Sequence, residues 1–229
     1  MEVPMRRIPK LIGLTALFSF VAIAGAALAP IQSGDAALDA KVKAFLEKMR
    51  WGWRDMNVPE ADGQVLHDII VKNGYKRALE IGTSTGHSGT WIAWALAKTG
   101  GKLVTIDIDE GRHSEAMANF KVAGLDAYID ARLADAHELV PALAGPWDFV
   151  FIDADKEWYT EYAKAVIPKV VPGGCIAAHN VSPPRGGGRF RGYGGGTGEY
   201  YEYIIKQSEF ETSFPPGSRN DLSVSFKKK

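Results

Sequence analysis

The stretch spanning residues 77–88 places the strongest constraint on the fold. It reads Arg-Ala-Leu-Glu-Ile-Gly-Thr-Ser-Thr-Gly-His-Ser, a short apolar run followed by a glycine-rich turn and the start of an amphipathic segment. This order predicts a β-strand, a loop and an α-helix. In an open α/β sheet such a junction lies at the carboxyl end of a strand, where backbone N–H groups and a helix N-terminus form a binding site for a nucleotide-like ligand.

The rest of the chain alternates short apolar runs with helical patterns, as expected for βαβ units around a parallel sheet. Two further strand-like runs, 210–214 and 222–226, flank a Pro-Pro-Gly-Ser turn and predict an antiparallel hairpin at one sheet edge. We therefore predict an α/β fold, a single Rossmann-like domain over 35–229 with a seven-stranded, mostly parallel sheet and helices on both faces. The predicted parallel strands are 77–82, 102–108, 128–133, 147–153 and 174–179, and helical patterns cover 87–98, 110–123, 136–143 and 157–170.

The N-terminal segment, residues 1–34, differs in composition from this domain. Three basic residues precede an uncharged apolar run over 11–31, which predicts a signal peptide or a membrane anchor. A small-x-small sequence at 27–29 is typical of a signal-peptidase site, whereas an uncleaved run of this length nearly spans a bilayer. Because a basic flank stays in the cytoplasm, we expect the domain to be membrane-anchored or exported to the periplasm, with a cytoplasmic-facing domain as the alternative.

Two other segments of the domain are expected to border the ligand site. Residues 35–75 predict two amphipathic helices, over 35–50 and 59–73, ahead of the first strand. Residues 182–198 are rich in glycine and follow the fifth predicted strand, which favours a lid beside the site. The arginines of this lid leave RNA binding as an alternative. With a formal net charge of zero, however, no basic footprint is apparent and we expect no nucleic-acid partner.

Polar residues at the predicted strand ends indicate which nucleotide-like ligand binds. The spacing Glu80-x-Gly82-x-x-x-Gly86 differs from the Gly-x-Gly-x-x-Gly of dinucleotide folds, which disfavours a nicotinamide or flavin cofactor. Asp107 ends the second strand, where its carboxylate can accept hydrogen bonds from both ribose hydroxyls. Residues 135–136 follow the third strand and provide an acceptor and a backbone N–H for an adenine edge.

Five short motifs follow one another along the chain. They are Glu-Ile-Gly-Thr-Ser-Thr-Gly-His-Ser at 80–88, Thr-Ile-Asp-Ile-Asp at 105–109, Asp-Ala at 135–136, Trp-Asp-Phe-Val-Phe-Ile-Asp-Ala-Asp-Lys at 147–156 and Val-Pro-Gly-Gly at 171–174. With them the chain resembles class I S-adenosylmethionine (SAM)-dependent O-methyltransferases, in particular the caffeoyl-CoA and catechol O-methyltransferase group. The resemblance implies SAM as the cofactor and methyl transfer to a hydroxyl of a small, aromatic acceptor.

The same resemblance implies roles for individual residues. Glu80 and Gly82 contact the methionine part of SAM, Ser88 holds its carboxylate, Asp107 binds ribose, and 135–136 flank adenine. The segment at 56–64 resembles one that closes over the cofactor. The full set of cofactor-binding residues implied is Glu80, Gly82, Ser84, Gly86, Ser88, Asp107, Asp135, Ala136 and Asp153.

A divalent cation lies beside the transferred methyl group in the family, and here its ligand pattern is altered. Asp153, Lys156 and Asn180 match the pattern, but His179 stands where the family has aspartate. The resemblance therefore implies a metal held by Asp153, His179 and Asn180, either Mg²⁺ or a softer ion such as Mn²⁺ that imidazole favours. Alternatively no metal binds and His179 is a base near neutral pH. Lys156 is the candidate cation or base for the acceptor hydroxyl, so Lys156 and His179 are the predicted catalytic residues.

The sequence leaves two alternatives to an O-methyltransferase that acts on a small-molecule acceptor. A non-catalytic or metal-free, membrane-tethered SAM-binding protein is one, and an RNA hydroxyl methyltransferase is the other. The expected partners are the small hydroxylated acceptor, the membrane where the N-terminal segment is uncleaved, and a second copy of the chain in a homodimer. We interpret His67, His113 and His137 as surface or packing residues because they lie on predicted helices without metal-ligand spacing.

Overall fold

The structure of the protein is a computed structural model that describes residues 35–53, 55–182, 195–216, 218 and 222–229. The predicted signal peptide or anchor at 1–34 and most of the predicted lid at 182–198 lie outside these residues, so both stay predictions. Among the residues that the structure describes, no helix is both long and apolar enough to cross a membrane.

One seven-stranded sheet forms the centre of the domain, with strand order β3-β2-β1-β4-β5-β7-β6. The first five strands are parallel, and β7 runs antiparallel to both β5 and β6. The predicted mostly parallel sheet with a C-terminal hairpin at one edge is therefore confirmed. The strands are β1 (Arg77–Ile81), β2 (Lys102–Asp107), β3 (Ile129–Leu133), β4 (Trp147–Ile152), β5 (Val170–His179), β6 (Phe210–Ser213) and β7 (Leu222–Lys227).

Helices cover both faces of this sheet, and the side chains of each strand alternate between them. On one face Ala78 and Phe149 pack against helices α1 to α4, and on the other face Leu79 and Val150 pack against α5 to α7. The helices are α1 (Ala36–Met49), α2 (Glu60–Asn73), α3 (His87–Thr99), α4 (Glu110–Ala123), α5 (Ala136–Ala142), α6 (Tyr159–Val166) and α7 (Gly196–Ile204), with 3₁₀ turns at Asp126–Tyr128, Lys156–Trp158 and Ile167–Lys169.

Two predicted elements were wrong in extent. The helix predicted over 157–170 is an α-helix only at Tyr159–Val166, because Pro168 lacks an N–H and lies in a separate 3₁₀ turn. Strand β5 consequently starts at Val170 and not at 174. Helix α7 begins at Gly196, within the range 182–198 predicted as a lid, and a Cβ there would lie only 1.9 Å from the carbonyl oxygen of Lys156. This close contact and the buried Thr197 fix the start of α7 against the domain.

Candidate active site

A cavity of about 740 Å³ opens at the carboxyl ends of β1, β2, β3, β4 and β5. Nine of the predicted site residues line it: Gly82, Ser84, Asp107, Asp135, Ala136, Asp153, Lys156, His179 and Asn180. They come from five different strand ends, because a parallel sheet brings the carboxyl ends of its strands to one edge. The other lining residues are Met56, Asn57, Ile106, Ile108, Arg112, His137, Ala154, Asp155 and Tyr162.

The loop after β1 approaches the end of the neighbouring strand β4 more closely than a side chain would allow. A Cβ on Gly82, whose φ is +101°, would lie 2.4 Å from the carbonyl oxygen of Asp153. Ser84 also has a positive φ of 47°, and its N–H donates a 2.7 Å hydrogen bond to Asp107 Oδ2. Strain of this kind persists only where the surroundings enforce it. Ser84 lines the cavity, while its Oγ is buried and has no hydrogen-bond partner among the described residues.

Glu80, Gly86 and Ser88 are buried in the layer behind this loop, and their predicted contacts with the cofactor stay predictions. Gly86 precedes α3 with a φ of +94° and contacts Phe120. Burial raises the pKa of Glu80 to about 8, and the nearby charges of Asp153 and Asp107 add to this rise. A hydrogen bond from Thr105 Oγ1 at 2.6 Å acts in the opposite direction and lowers the pKa. Glu80 is therefore mostly protonated at neutral pH.

The cavity wall after β3 contains His137, which is partly exposed and packed, as the sequence predicts, and which also lines the cavity. His137 lines the cavity and stacks on Trp158, with ring centroids 3.8 Å apart. Its Nε2 lies 3.1 Å from Asp155 Oδ2, while the Tyr162 hydroxyl donates to Asp155 Oδ1 at 2.7 Å. Asp135 caps α5 by accepting the N–H of His137 at 2.9 Å. The cap could be predicted from sequence, but the stack depends on α6 lying beside α5.

Opposite this wall, charged side chains from three elements meet at the ends of β4 and β5. The Lys156 ammonium donates to Asp153 Oδ1 at 2.8 Å, to the Ala154 carbonyl at 3.0 Å and to the Tyr159 hydroxyl at 2.9 Å. His179 lies between two carboxylates: its Nε2 is 3.1 Å from Asp62 Oδ2, and its Nδ1 is 3.5 Å from Asp153 Oδ2. We call Asp62, Asp153, Lys156 and His179 the charged centre.

Asp62 completes this centre, although it lies 117 positions from His179 in the chain. The sequence places it in the helix over 59–73 and in the 56–64 segment implied to close over the cofactor, without a role of its own. Burial alone would lower the pKa of His179, but hydrogen bonds to Asp153 and Asp62 and their charges raise it to about 9. A pKa of about 9 favours the protonated ring near neutral pH, and the role of His179 as a base stays a prediction.

The segment ahead of α2 forms one wall of the cavity. Met56 and Asn57 line it, and Asn57 Nδ2 donates to Thr85 Oγ1 at 3.1 Å. Arg112, which also lines the cavity, binds Asp55 through Nε at 2.7 Å. His87 anchors the same segment, because its Nδ1 lies 2.9 Å from the Val58 carbonyl oxygen and its Nε2 accepts from the Trp91 indole at 3.1 Å.

Comparison with known proteins identifies the family. The family model described as O-methyltransferase matches residues 33–182, which is more than half of the chain. The chain belongs to the O-methyltransferase family. A curated catechol O-methyltransferase from Niastella koreensis is 41% identical over 147 residues, covering 62% of this chain and 66% of the relative. A caffeoyl-CoA O-methyltransferase from Medicago sativa is 32% identical over 145 residues, covering 58% of each protein. The chain thus matches 58–66% of the length of these relatives.

Solved structures agree with this O-methyltransferase fold over more of the chain. The O-methyltransferase from Bacillus cereus in complex with SAH matches with a TM-score of 0.68 and 25% identity, over 83% of this chain and 91% of that one. The O-methyltransferase TomG from Streptomyces achromogenes matches with a TM-score of 0.64 at 23% identity, over 87% of this chain and 93% of that one, and supports the fold alone.

The donor set of this O-methyltransferase does not fit the divalent metal that the family pattern implies. A histidine ligand must offer a free nitrogen lone pair, but each ring nitrogen of His179 faces a carboxylate oxygen. Asp153 is already paired with Lys156 and His179. Within the described part of the chain, no three His, Cys, Asp or Glu side chains form a group that could hold a metal ion.

Proposed function

We propose that this protein is a SAM-dependent O-methyltransferase that acts on a hydroxyl of a small, aromatic acceptor. The observation that carries the proposal is the meeting of nine predicted residues, from five strand ends, around one cavity large enough for a cofactor and an acceptor. The catechol and caffeoyl-CoA O-methyltransferases among the relatives support an aromatic acceptor.

The residues around the cavity fit SAM. Ser84, the Asp107 carboxylate, and Asp135, which caps α5, together with Ala136 line one wall with polar groups. Ile106 and Ile108 add an apolar surface beside them, as is usual for small-molecule sites. When bound, SAM supplies a sulfonium methyl group, which an acceptor oxygen attacks as the C–S bond breaks and the new C–O bond forms.

The main obstacle to this reaction is the proton on the acceptor, because a phenol has a pKa of ~10. Lys156 addresses it through its charge. Its ammonium lies at the cavity wall and already donates to Asp153, Ala154 and Tyr159, so it is not available to accept a proton. A fixed positive charge favours the ionised hydroxyl, whose proton leaves to solvent. Asn180, which also lines the cavity, provides an amide that can orient the same oxygen.

Titration calorimetry with SAM on the full-length chain tests the cofactor assignment. Transfer of labelled methyl groups from SAM to a panel of phenols and catechols then tests the reaction. We expect SAM to bind with one site per chain and methyl transfer to at least one phenolic acceptor. Absence of SAM binding would contradict the proposal as a whole, and binding without transfer would favour the non-catalytic SAM-binding alternative.

We also propose that the N-terminal segment is a signal peptide or membrane anchor that exports or tethers the domain. This rests on the basic flank and the apolar run over 11–31. Protease accessibility of the domain in intact cells tests it: digestion supports an exported domain, and protection contradicts export. A homodimer stays a prediction, which sedimentation of the purified chain will check.

A further inference from the structure

We propose that this protein transfers methyl groups without a divalent metal, because each ring nitrogen of His179 faces a carboxylate, Asp62 or Asp153, where the family has a metal-binding aspartate. The inference rests on the proposed function for its relevance to catalysis. Its structural part, that the charged centre excludes a metal ion, does not depend on turnover.

Asp62 is buried beside His179. Its side chain is only 3% exposed, and His179 Nε2 approaches its Oδ2 at 3.1 Å. The other oxygen, Oδ1, is buried without a hydrogen-bond partner among the described residues. A buried carboxylate that loses its one partner is strongly destabilising. Asp62 therefore retains His179 through Nε2, and Nδ1, 3.5 Å from Asp153 Oδ2, is the one ring nitrogen left to face the cavity.

Both carboxylate oxygens of Asp153 already face side chains of the charged centre. Lys156 Nζ lies 2.8 Å from Oδ1, and His179 Nδ1 lies 3.5 Å from Oδ2. A divalent cation on Asp153 would have to displace one of these groups or lie beside the Lys156 ammonium. Like charges at such distances repel strongly in a poorly solvated site, so the Lys156 ammonium competes directly with a metal for Asp153.

Packing of α2 on α3 fixes the position of Asp62. The neighbouring Gly63 lies against α3, where a Cβ would be 2.2 Å from the Trp91 ring. Helix α2 is therefore seated as closely on α3 as a glycine permits. With α2 fixed in this way and His179 at the end of the central strand β5, the Asp62–His179 contact is set by the fold and not by flexible side chains.

Manganese binding to the full-length chain, measured by equilibrium dialysis without SAM or acceptor, tests the proposal. We expect the unaltered chain to bind no Mn²⁺ at Asp153. Asp153→Asn should therefore leave the measured Mn²⁺ binding unchanged. His179→Asp restores the family aspartate and places three carboxylates beside the Asn180 amide, a donor set that suits hard cations. We expect this variant to bind one Mn²⁺ per chain. His113→Asp, the same exchange on α4 away from the cavity, is the matched control and should bind none.

The outcomes separate this inference from the proposed function. Mn²⁺ bound to the unaltered chain and lost in Asp153→Asn would overturn it, as would loss of methyl transfer on adding a chelator. Failure of a folded His179→Asp to bind Mn²⁺ would overturn the assignment of metal exclusion to His179. If that variant does not fold, as judged by circular dichroism, the measurements on the unaltered chain decide. A chain without turnover would contradict the proposed function, yet its Mn²⁺ binding still tests the charged centre.

Discussion

The two halves of the cavity are built in different ways. The half formed by the ends of β1, β2 and β3 holds its polar groups through backbone hydrogen bonds, such as Ser84 N–H to Asp107 and His137 N–H to Asp135. The half formed by β4 and β5 relies on side-chain charges that pair with one another. The first half keeps the family motifs and the second departs from them at His179. We infer that the first half binds the cofactor and that the second sets the reactivity of the acceptor.

This division predicts that Lys156→Gln reduces kcat and leaves SAM affinity nearly unchanged. Loss of the ammonium removes the charge that favours the ionised acceptor, and we expect kcat to fall by roughly a hundredfold or more. Steady-state kinetics and calorimetry with SAM measure the two effects. Lys164→Gln is the matched control, because Lys164 also pairs with an acid three residues earlier, at 2.7 Å, but outside the cavity. A weakening of SAM binding comparable to the loss in kcat would break the division.

On the cofactor half, Asp107→Ala should weaken SAM binding by roughly 30- to 100-fold, the cost of ~2–3 kcal/mol expected for removing a charged hydrogen-bond acceptor. The same change frees Ser84 N–H, which Asp107 holds at 2.7 Å. Calorimetry gives the affinity. Asp126→Ala, at an exposed carboxylate in the 3₁₀ turn before β3, should have no effect. An unchanged affinity in Asp107→Ala would show that this wall does not hold the cofactor.

The buried Glu80 predicts a pH dependence of stability in the absence of SAM. Its pKa is about 8 in the folded chain against an ordinary value of 4.5, so the folded state binds the extra proton between these values. The free energy of unfolding contributed by Glu80 is therefore highest below pH 4.5 and falls as the pH rises through about 8. Glu80→Gln should be more stable than the unaltered chain at pH 9 by on the order of 1–3 kcal/mol, with little difference at pH 4.5.

Urea unfolding at several pH values measures this effect, with Glu202→Gln on the exposed side of α7 as the control. A difference that does not grow with pH would contradict the assignment of the proton to Glu80. SAM binding adds a second check. If Glu80 contacts the cationic methionine part of SAM, binding at pH 7 should release a proton, and calorimetry in buffers of different ionisation enthalpy detects this release.

The smallest expected effect concerns the wall formed by residues 55–59. Arg112→Gln breaks the ion pair with Asp55. Both side chains of this pair are about one-third exposed, and an exposed ion pair contributes little free energy, so we expect SAM affinity to fall by only about threefold. Stopped-flow measurements should show this as faster SAM dissociation. Arg132→Gln breaks a pair of similar exposure with Asp130, at 2.8 Å and away from the cavity, and should leave the dissociation rate unchanged. A large loss of affinity in Arg112→Gln would mean that this pair contributes more than its exposure allows.

The sequence was most informative where the site is local. The glycine-rich loop after β1, Asp107 and the Asp135 cap each follow directly from one strand end, and the parallel sheet brings those ends together. Asp62 and Arg112 could not be assigned individual roles from the sequence, because these roles depend on partners far along the chain. Asp62 meets His179 across 117 positions, and Arg112 meets Asp55 across 57. Such pairs leave no periodicity or spacing in a single sequence.

The contact between Gly63 and the Trp91 ring connects packing to chemistry. A single added methyl group at position 63 has no polar partner and lies outside the cavity lining, yet it would push α2 away from α3 and lengthen the distance from Asp62 to His179. Substitutions at this helix interface are therefore expected to tune the reaction rate through geometry alone. Laboratory selection for altered activity should find such changes at the interface of α2 and α3 as well as at the cavity wall.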